Sequence, residues 1–321
     1  MRRLMLLTGT LLLIFAVGET VYRVRASSKR QEYLAGRDPD TLITEAAPAP
    51  LYYRLKPDYP GFTNSHGYRD LERRVFKVQG VYRIAVVGDS VSMQGALPFE
   101  QLYVRQLQRK LDSEFPGRTE VLNFGITGYN TSQEAALLER EVLPYAPDLV
   151  VWQFHDNDGQ HTIYGGGFAN YFHRPTSYFA NYVANKLDHF FCGIKAGRSS
   201  RGTLTSDQGN LVCRWNQIVG HLRDVAALLN ARGIGMLVIL YPTWPDGDDW
   251  ANYGEAGHEL HRELVAELES LGVEVVDLLR VFERVDPAAY RVEPTDPWHP
   301  NAEGHELIAD SLFSSLRPRV R

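Results

Sequence analysis

Five short apolar runs, each set off by a segment of helical periodicity, constrain this chain more than any other feature. Ile84-Ala85-Val86-Val87 is continuous rather than alternating, the pattern of a parallel strand covered on both faces. Val121-Leu122-Asn123-Phe124 and the runs 149–154, 235–240 and 273–277 repeat it. Helical patterns occupy 99–115, 132–143, 211–231, 255–271 and 302–316. Strands separated by helices require right-handed crossovers and a parallel sheet with helices on both faces. The predicted class is therefore α/β, a three-layer α/β/α sandwich around a five-stranded parallel sheet. The 321 residues are 44% hydrophobic and 23% charged, which is ample for such a core.

The chain before the first strand has a different character. Met1-Arg2-Arg3 is a positive start, and 4–18 is apolar apart from two threonines. This reads as an export signal, either an uncleaved anchor or a signal peptide cut near Ala16-Val17-Gly18. The apolar stretch reaches spanning length only if it runs through Val21 and accommodates Glu19 near the interface. Either way the remainder is expected outside the cytoplasm, on the periplasmic side, with the membrane as a partner through residues 1–24. Residues 25–80 read as a tether and leading segment, with Ala46-Ala47-Pro48-Ala49-Pro50 as a stiff spacer. The domain proper is expected over 81–321.

Within it, 159–210 breaks the rhythm, being far longer than an ordinary loop of an α/β unit. It carries Gly165-Gly166-Gly167 and nine aromatics, among them Tyr164, Phe168, Tyr171, Phe172, Phe179 and Tyr182. Two readings stand: a lid or binding wall at the ligand edge, or a satellite core packed on the sheet. Cys192 and Cys213 lie near its far end, where a disulfide would staple the insertion to the next helix; two buried thiols are the alternative. The net charge of −5 gives no electrostatic case for nucleic acid.

Candidate chemistry gathers after the strands, on the edge where open α/β sheets bind ligands. The first strand stops at Gly88-Asp89-Ser90, leaving Ser90 as a nucleophile or as a helix N-cap. The second is followed by Asn123-Phe124-Gly125-Ile126-Thr127-Gly128, whose glycines let backbone N–H groups approach a ligand. The third leads into His155-Asp156-Asn157-Asp158, where Asn157 can donate an amide. Before the last helix, Asp296-Pro297-Trp298-His299-Pro300 places a carboxylate three residues from an imidazole in a stiff loop. These residues compose a triad of Ser90, His299 and Asp296, with an oxyanion hole from the Ser90 and Gly128 N–H groups and the Asn157 amide.

Taken in order, these four blocks resemble those of the SGNH (GDSL) hydrolase superfamily, over about residues 81–316. The resemblance implies a flavodoxin-like fold, an ester substrate, no metal and no organic cofactor. It implies Ser90, Asp296 and His299 as catalytic residues, and Ser90, Gly128 and Asn157 as the oxyanion hole. The N-terminal segment and 64–70 also resemble membrane-tethered bacterial members. One departure is His155, which stands where the family's third block has glycine and so puts a titratable group beside Asn157. Position 92 is serine, so the Gly-x-Ser-x-Gly elbow of ordinary α/β-hydrolases is absent.

Several neighbours carry blander readings. His155, Asp156, Asp158 and His161 match no metal-ligand spacing. Asp246-Gly247-Asp248-Asp249 reads as a solvated turn, Asp89 as a hydrogen-bonding residue and His305 as a surface or packing residue. Tyr241-Pro242 either lines the pocket or ends a strand. The expected activity is a serine esterase, with O-acetyl groups on an envelope or exported polysaccharide as substrate. An acyltransferase using the same triad and a non-catalytic carbohydrate-binding protein are the rivals.

Overall fold

The computed structural model describes residues 2–35, 43–162, 169–197, 204–245 and 250–320. Tyr164, the Gly165-Gly166-Gly167 run, Phe168 and the turn Asp246-Gly247-Asp248-Asp249 lie outside the described residues.

Five parallel strands form the sheet: β3 (Tyr82–Gly88), β4 (Thr119–Gly125), β5 (Leu149–His155), β6 (Gly235–Tyr241) and β7 (Glu274–Asp277). Their order is β4-β3-β5-β6-β7, with in-register pairs such as Val86 with Val151 and with Asn123. The order steps outward one way from β3 to β4 and the other way to β5, the flavodoxin-like arrangement with its switch point beside β3. Because strand residues alternate between faces, one apolar set divides into two cores. Ala85, Val87, Val150, Trp152 and Val238 pack beneath α3 (Thr131–Leu137), α5 (Ser206–Ala231) and α6 (Gly254–Ser270). Ile84, Val86, Val151 and Ile239 pack beneath α2 (Tyr103–Glu114) and α7 (Ala302–Leu316). The expected three-layer sandwich is the fold.

Helix limits differ where a local rule intervenes. The 99–115 pattern is a 3₁₀ turn, Phe99–Gln101, then α2, separated by the extended residue Leu102. The buried His305 ring holds that break, its Nδ1 accepting the Tyr103 N–H at 3.0 Å. Burial, the neighbouring His299 and Arg69 push the His305 imidazole down to about 3, so it is the neutral acceptor this bond needs. His305 is thus a packing residue that also caps α2. Helix α5 begins earlier than its apolar pattern, at Ser206, because Thr205 and Gln208 cap each other reciprocally.

The main correction concerns 25–60. Helix α1 (Arg2–Leu34) runs past the apolar stretch, and beyond it β1 (Thr44–Ala46) pairs antiparallel with β2 (Tyr53–Leu55). Tyr53 and Leu55 are fully buried in the first core, while Arg54 between them pairs outward with Glu45. Pro48 and Pro50 therefore stand in a hairpin connection rather than a spacer. A three-residue strand has too short an alternation to stand out among prolines.

The insertion is a satellite core over its described part. It contributes the single turn Ala169–Phe172 and α4 (Tyr178–Gly197), and the Cys192–Cys213 disulfide joins α4 to α5. Its aromatics meet the N-terminal elements: Tyr171 stacks on Tyr33 at 3.9 Å, Tyr182 on Tyr22 at 4.0 Å and Phe172 on Tyr53 at 5.7 Å.

Candidate active site

The site begins where β3 ends. Asp89 accepts the Val91 N–H at 2.8 Å and caps the helical turn Ser90–Met93. The capping role therefore belongs to Asp89, which leaves the Ser90 hydroxyl uncommitted to the turn. A Cβ at Gly88 would come within 2.5 Å of Gln153 Oε1 and 2.7 Å of Ser92 Oγ, so only glycine fits the strand end. Gln153 Oε1 accepts the Asp89 N–H at 3.1 Å and the Ser92 hydroxyl at 3.0 Å, tying the turn to β5. Asn123 ties it to β4: its amide donates to the carbonyls of Ser92 at 3.0 Å and Arg69 at 3.1 Å. Arg69 in turn donates to the Met93 carbonyl at 2.9 Å.

Ser90, His299 and Asp296 meet although 209 residues separate the serine from the imidazole. His299 Nε2 lies 2.8 Å from Ser90 Oγ, and Nδ1 lies 2.8 Å from Asp296 Oδ2. The other Asp296 oxygen accepts the N–H groups of Trp298 at 2.8 Å and His299 at 3.0 Å. Burial alone would raise the Asp296 carboxyl. The His299 hydrogen bond and charge, with these two N–H donors, outweigh it and hold the group below the usual carboxylate range. Asp296 is thus ionised at neutral pH and fixes the imidazole with Nδ1 as donor. That leaves Nε2 to accept a proton from Ser90.

Gly128 and Asn157 line one cleft with Asn130, Gln133, Gln160 and Thr162. Ser90 is not among the residues that line it. Gly128 has φ +68°, a backbone conformation that turns its N–H in a way L side chains rarely permit. Asn157 Oδ1 is buried and makes no hydrogen bond to a described residue. The loop is held from both sides. The Tyr53 hydroxyl donates to the Thr127 carbonyl at 2.7 Å, and Asn130 caps α3 while donating to the Gln160 carbonyl at 2.8 Å.

His155 does not reach this cleft. Its side chain is fully buried under the end of β5, with Nε2 3.3 Å from Thr243 Oγ1 and the ring tilted against Tyr241. The replacement of glycine changes the packing beneath the loop rather than the cleft. Asp156 faces away too, toward the Tyr253 hydroxyl at 3.3 Å and His261 at 3.6 Å. Tyr241 is a core residue, packed on Phe282 and Trp244. Behind the turn that carries Ser90, burial and the neighbouring Asp89 push Glu134 well above the usual carboxylate range. Burial with Glu134 and Asp89 pushes the Asp158 carboxyl upward in the same way.

Sequence reasoning missed Tyr53, Arg69 and Gln153. Gln153 carried a signal, as the one polar side chain in the run 149–154. Tyr53 and Arg69 carried none, because their partners are backbone carbonyls distant in sequence.

The sequence model of the GDSL-like lipase/acylhydrolase family matches residues 86–307. No curated protein matches the chain. Among solved structures, a catalytic mutant of Axe2, an acetylxylan esterase from Geobacillus stearothermophilus, is 18% identical with a TM-score of 0.50, covering 75% of this chain and 95% of its own. TesA is 20% identical with a TM-score of 0.48, over 74% of this chain and 98% of its own. The acetyl xylan esterase AlAXEase is 17% identical with a TM-score of 0.48, over 73% and 99%. The likeness to Axe2 agrees with the sheet order and layers described above.

Proposed function

The chain belongs to the GDSL-like lipase/acylhydrolase family and is a carboxylic ester hydrolase of the SGNH type; on that footing we propose that Ser90 is its nucleophile, His299 its general base and acid, and Asp296 the residue that orients His299. The observation that carries this reading is the unbroken run of contacts from Ser90 Oγ to His299 Nε2 and from His299 Nδ1 to Asp296, each 2.8 Å. Ser90 Oγ attacks the acyl carbon as its proton passes to His299. The tetrahedral oxyanion is met by the Ser90 and Gly128 N–H groups and the Asn157 amide. His299 then protonates the departing alcohol, leaving an acyl-enzyme on Ser90. A water molecule, deprotonated by His299, releases the acid and restores the serine.

The substrate we propose is an O-acetyl ester on an envelope or exported polysaccharide. The cleft beside Gly128 offers the side-chain amides of Asn130, Gln133 and Gln160 and the Thr162 hydroxyl to sugar hydroxyl groups, beside Tyr129, His161 and Ala169. The proposed location is the outer face of the membrane, with residues 1–24 as anchor. Helix α1 includes a stretch, Met5–Tyr33, long and apolar enough to cross a bilayer. The proposed hydrolase unit is 81–321, with 43–80 packed onto it.

The test is turnover of p-nitrophenyl acetate and of acetylated polysaccharide by the full chain beside Ser90→Ala. Acetate release that disappears with Ser90 supports the reading, whereas equal release from the variant would exclude the triad. Acetate that moves to an added sugar instead of water would reassign the chain as an acyltransferase. A wild-type Ser90 inert to both esters and to a fluorophosphonate probe would leave a binding protein.

A further inference from the structure

Helix α4 is the one described segment outside α1 that leaves a row of large apolar side chains in solvent. Val183, Leu187, Phe190 and Phe191 are 39%, 50%, 61% and 57% exposed. Their spacing of four, three and one residues puts them on one side of a helix. Elsewhere such exposure is scattered: Leu71, Phe76 and Val78 in the leading segment and Trp298 in the triad loop. A contiguous apolar stripe on a structured helix marks a surface that another phase or molecule covers.

The surroundings of α4 indicate which. Its first turn packs on α1, with the Phe179 ring 5.7 Å from Phe15 and 6.0 Å from Tyr22. A Cβ at Gly18 would come within 2.7 Å of that ring, so the two elements touch at α1's backbone. Glu19, the acid that interrupts α1's apolar stretch, has Oε2 bonded by the Ser177 hydroxyl at 2.8 Å and the Phe179 N–H at 3.0 Å. The start of α4 thus supplies donors to the residue that marks where the apolar stretch ends. Further along, the Cys192–Cys213 disulfide and the Asp188–Arg214 ion pair fasten α4 to α5. Helix α4 therefore bridges anchor and hydrolase, and its apolar stripe is left outside both contacts. On α1, Met5, Leu6, Leu7, Leu11, Leu12 and Leu13 are exposed in the same way.

We propose that α4 is a second membrane element, an interfacial helix whose Val183, Leu187, Phe190 and Phe191 side chains enter the outer leaflet of the bilayer that α1 spans. This rests on the reading of α1 as an anchor. The occupant is lipid because the stripe belongs to a helix that starts against α1 at the end of its apolar stretch. Lys186 borders the stripe as an exposed cation beside the Tyr182 ring, with a stem long enough to reach headgroup phosphates. Tyr22, Tyr178 and Tyr182 cluster at the same level, as aromatic side chains do at a membrane interface. The insertion leaves the sheet after β5, at its carboxyl edge. An embedded α4 would therefore hold that edge near the lipid surface and favour esters presented there.

The experiment places a nitroxide label at one introduced cysteine in the full chain, reconstituted in phosphatidylcholine–phosphatidylglycerol vesicles. The native cysteines are protected by their disulfide. L187C and F190C report on the stripe, L11C on the anchor and E269C on a water-exposed helix. The expected result is that oxygen collisions exceed those of a water-soluble nickel complex at L187C and F190C, as at L11C, with the reverse at E269C. Nickel access at L187C and F190C equal to that at E269C, with L11C protected, would overturn the interfacial helix and leave the anchor standing. Water-like behaviour at L11C as well would remove the anchor too. Protection at L187C accompanied by spin–spin broadening that disappears on dilution with unlabelled chain would assign the stripe to a second copy instead. None of these outcomes depends on the chain's esterase activity.

Discussion

Tyr53 and Tyr129 bind each other's segments across the junction between the N-terminal hairpin and the loop after β4. The Tyr53 hydroxyl donates to the Thr127 carbonyl at 2.7 Å, the Tyr129 hydroxyl donates back to the Tyr53 carbonyl, and the rings meet edge to face at 5.1 Å. Both rings are buried. Thr127 immediately precedes Gly128, so the hairpin governs how firmly the proposed oxyanion donor is held.

Replacing Tyr53 with Phe should therefore act on rate more than on binding. The variant removes the Tyr53 hydroxyl bond to the Thr127 carbonyl, worth about 1 kcal/mol. The expected outcome is a lower thermal midpoint and a kcat reduced by about tenfold, with KM for p-nitrophenyl acetate little changed. An unchanged kcat at a lowered midpoint would confine the hairpin to a purely structural role.

The proposed roles separate by magnitude. Asp296→Asn should lower kcat by about 10⁴-fold, because the carboxylate that fixes the His299 tautomer is lost. Asn157→Ala should lower kcat by about 10²-fold, the effect of one oxyanion donor, with little change in KM. Circular dichroism would verify that each variant keeps its fold. A wild-type kcat for Asn157→Ala would take that residue out of the oxyanion hole.

The fold and the three contacting residues were legible because their signals are local. Each sheet strand is a continuous apolar run, and Asp296 and His299 sit three residues apart in one loop. Ser90 follows a strand end that admits only glycine. The hairpin was illegible because β2 shows its alternation over only Tyr53, Arg54 and Leu55, with prolines in the connection before it. His155 looked like a pocket residue because sequence places it two positions from Asn157. Strand alternation turns its ring into the interior instead. The satellite core was half legible: the aromatic run announced the packing that Tyr171, Phe172, Phe179 and Tyr182 make, but nothing in its order announced α1 as the partner or the exposure of Phe190 and Phe191.

The disulfide makes a separate prediction. Cys192 and Cys213 close a loop with a sequence separation of 21 residues, for which chain entropy gives about 3 kcal/mol. The replacement of both by serine should lower the denaturant midpoint accordingly. Hydrogen exchange should quicken first in α4, which the bridge fastens to α5. Exchange that quickens evenly across the sheet would mean that α4 unfolds only with the whole domain.

Stability should also fall in alkali through one buried histidine. His261 Nδ1 lies 3.2 Å from Asp277 and Nε2 3.6 Å from Asp156, with the Tyr253 ring 5.8 Å away. Burial pushes the imidazole down, but the two carboxylates outweigh it and hold the group up at about 9, against an ordinary 6.5. Burial likewise opposes ionisation of Asp156 and Asp277, yet His261 keeps both below the usual carboxylate range, so they stay charged throughout this window. Burial and Asp156 hold the Tyr253 phenol well above its ordinary value, so it stays neutral there. A value raised on folding stabilises fully below the unfolded value and is lost as pH rises through the folded one. The folding free energy should therefore decline between pH 6.5 and 9, by on the order of 3 kcal/mol. Urea unfolding across that range, beside His261→Gln, isolates the contribution of this group. The variant should be less stable than wild type near pH 6 and should approach it near pH 9. Curves that stay parallel would mean that His261 is neutral in the folded chain.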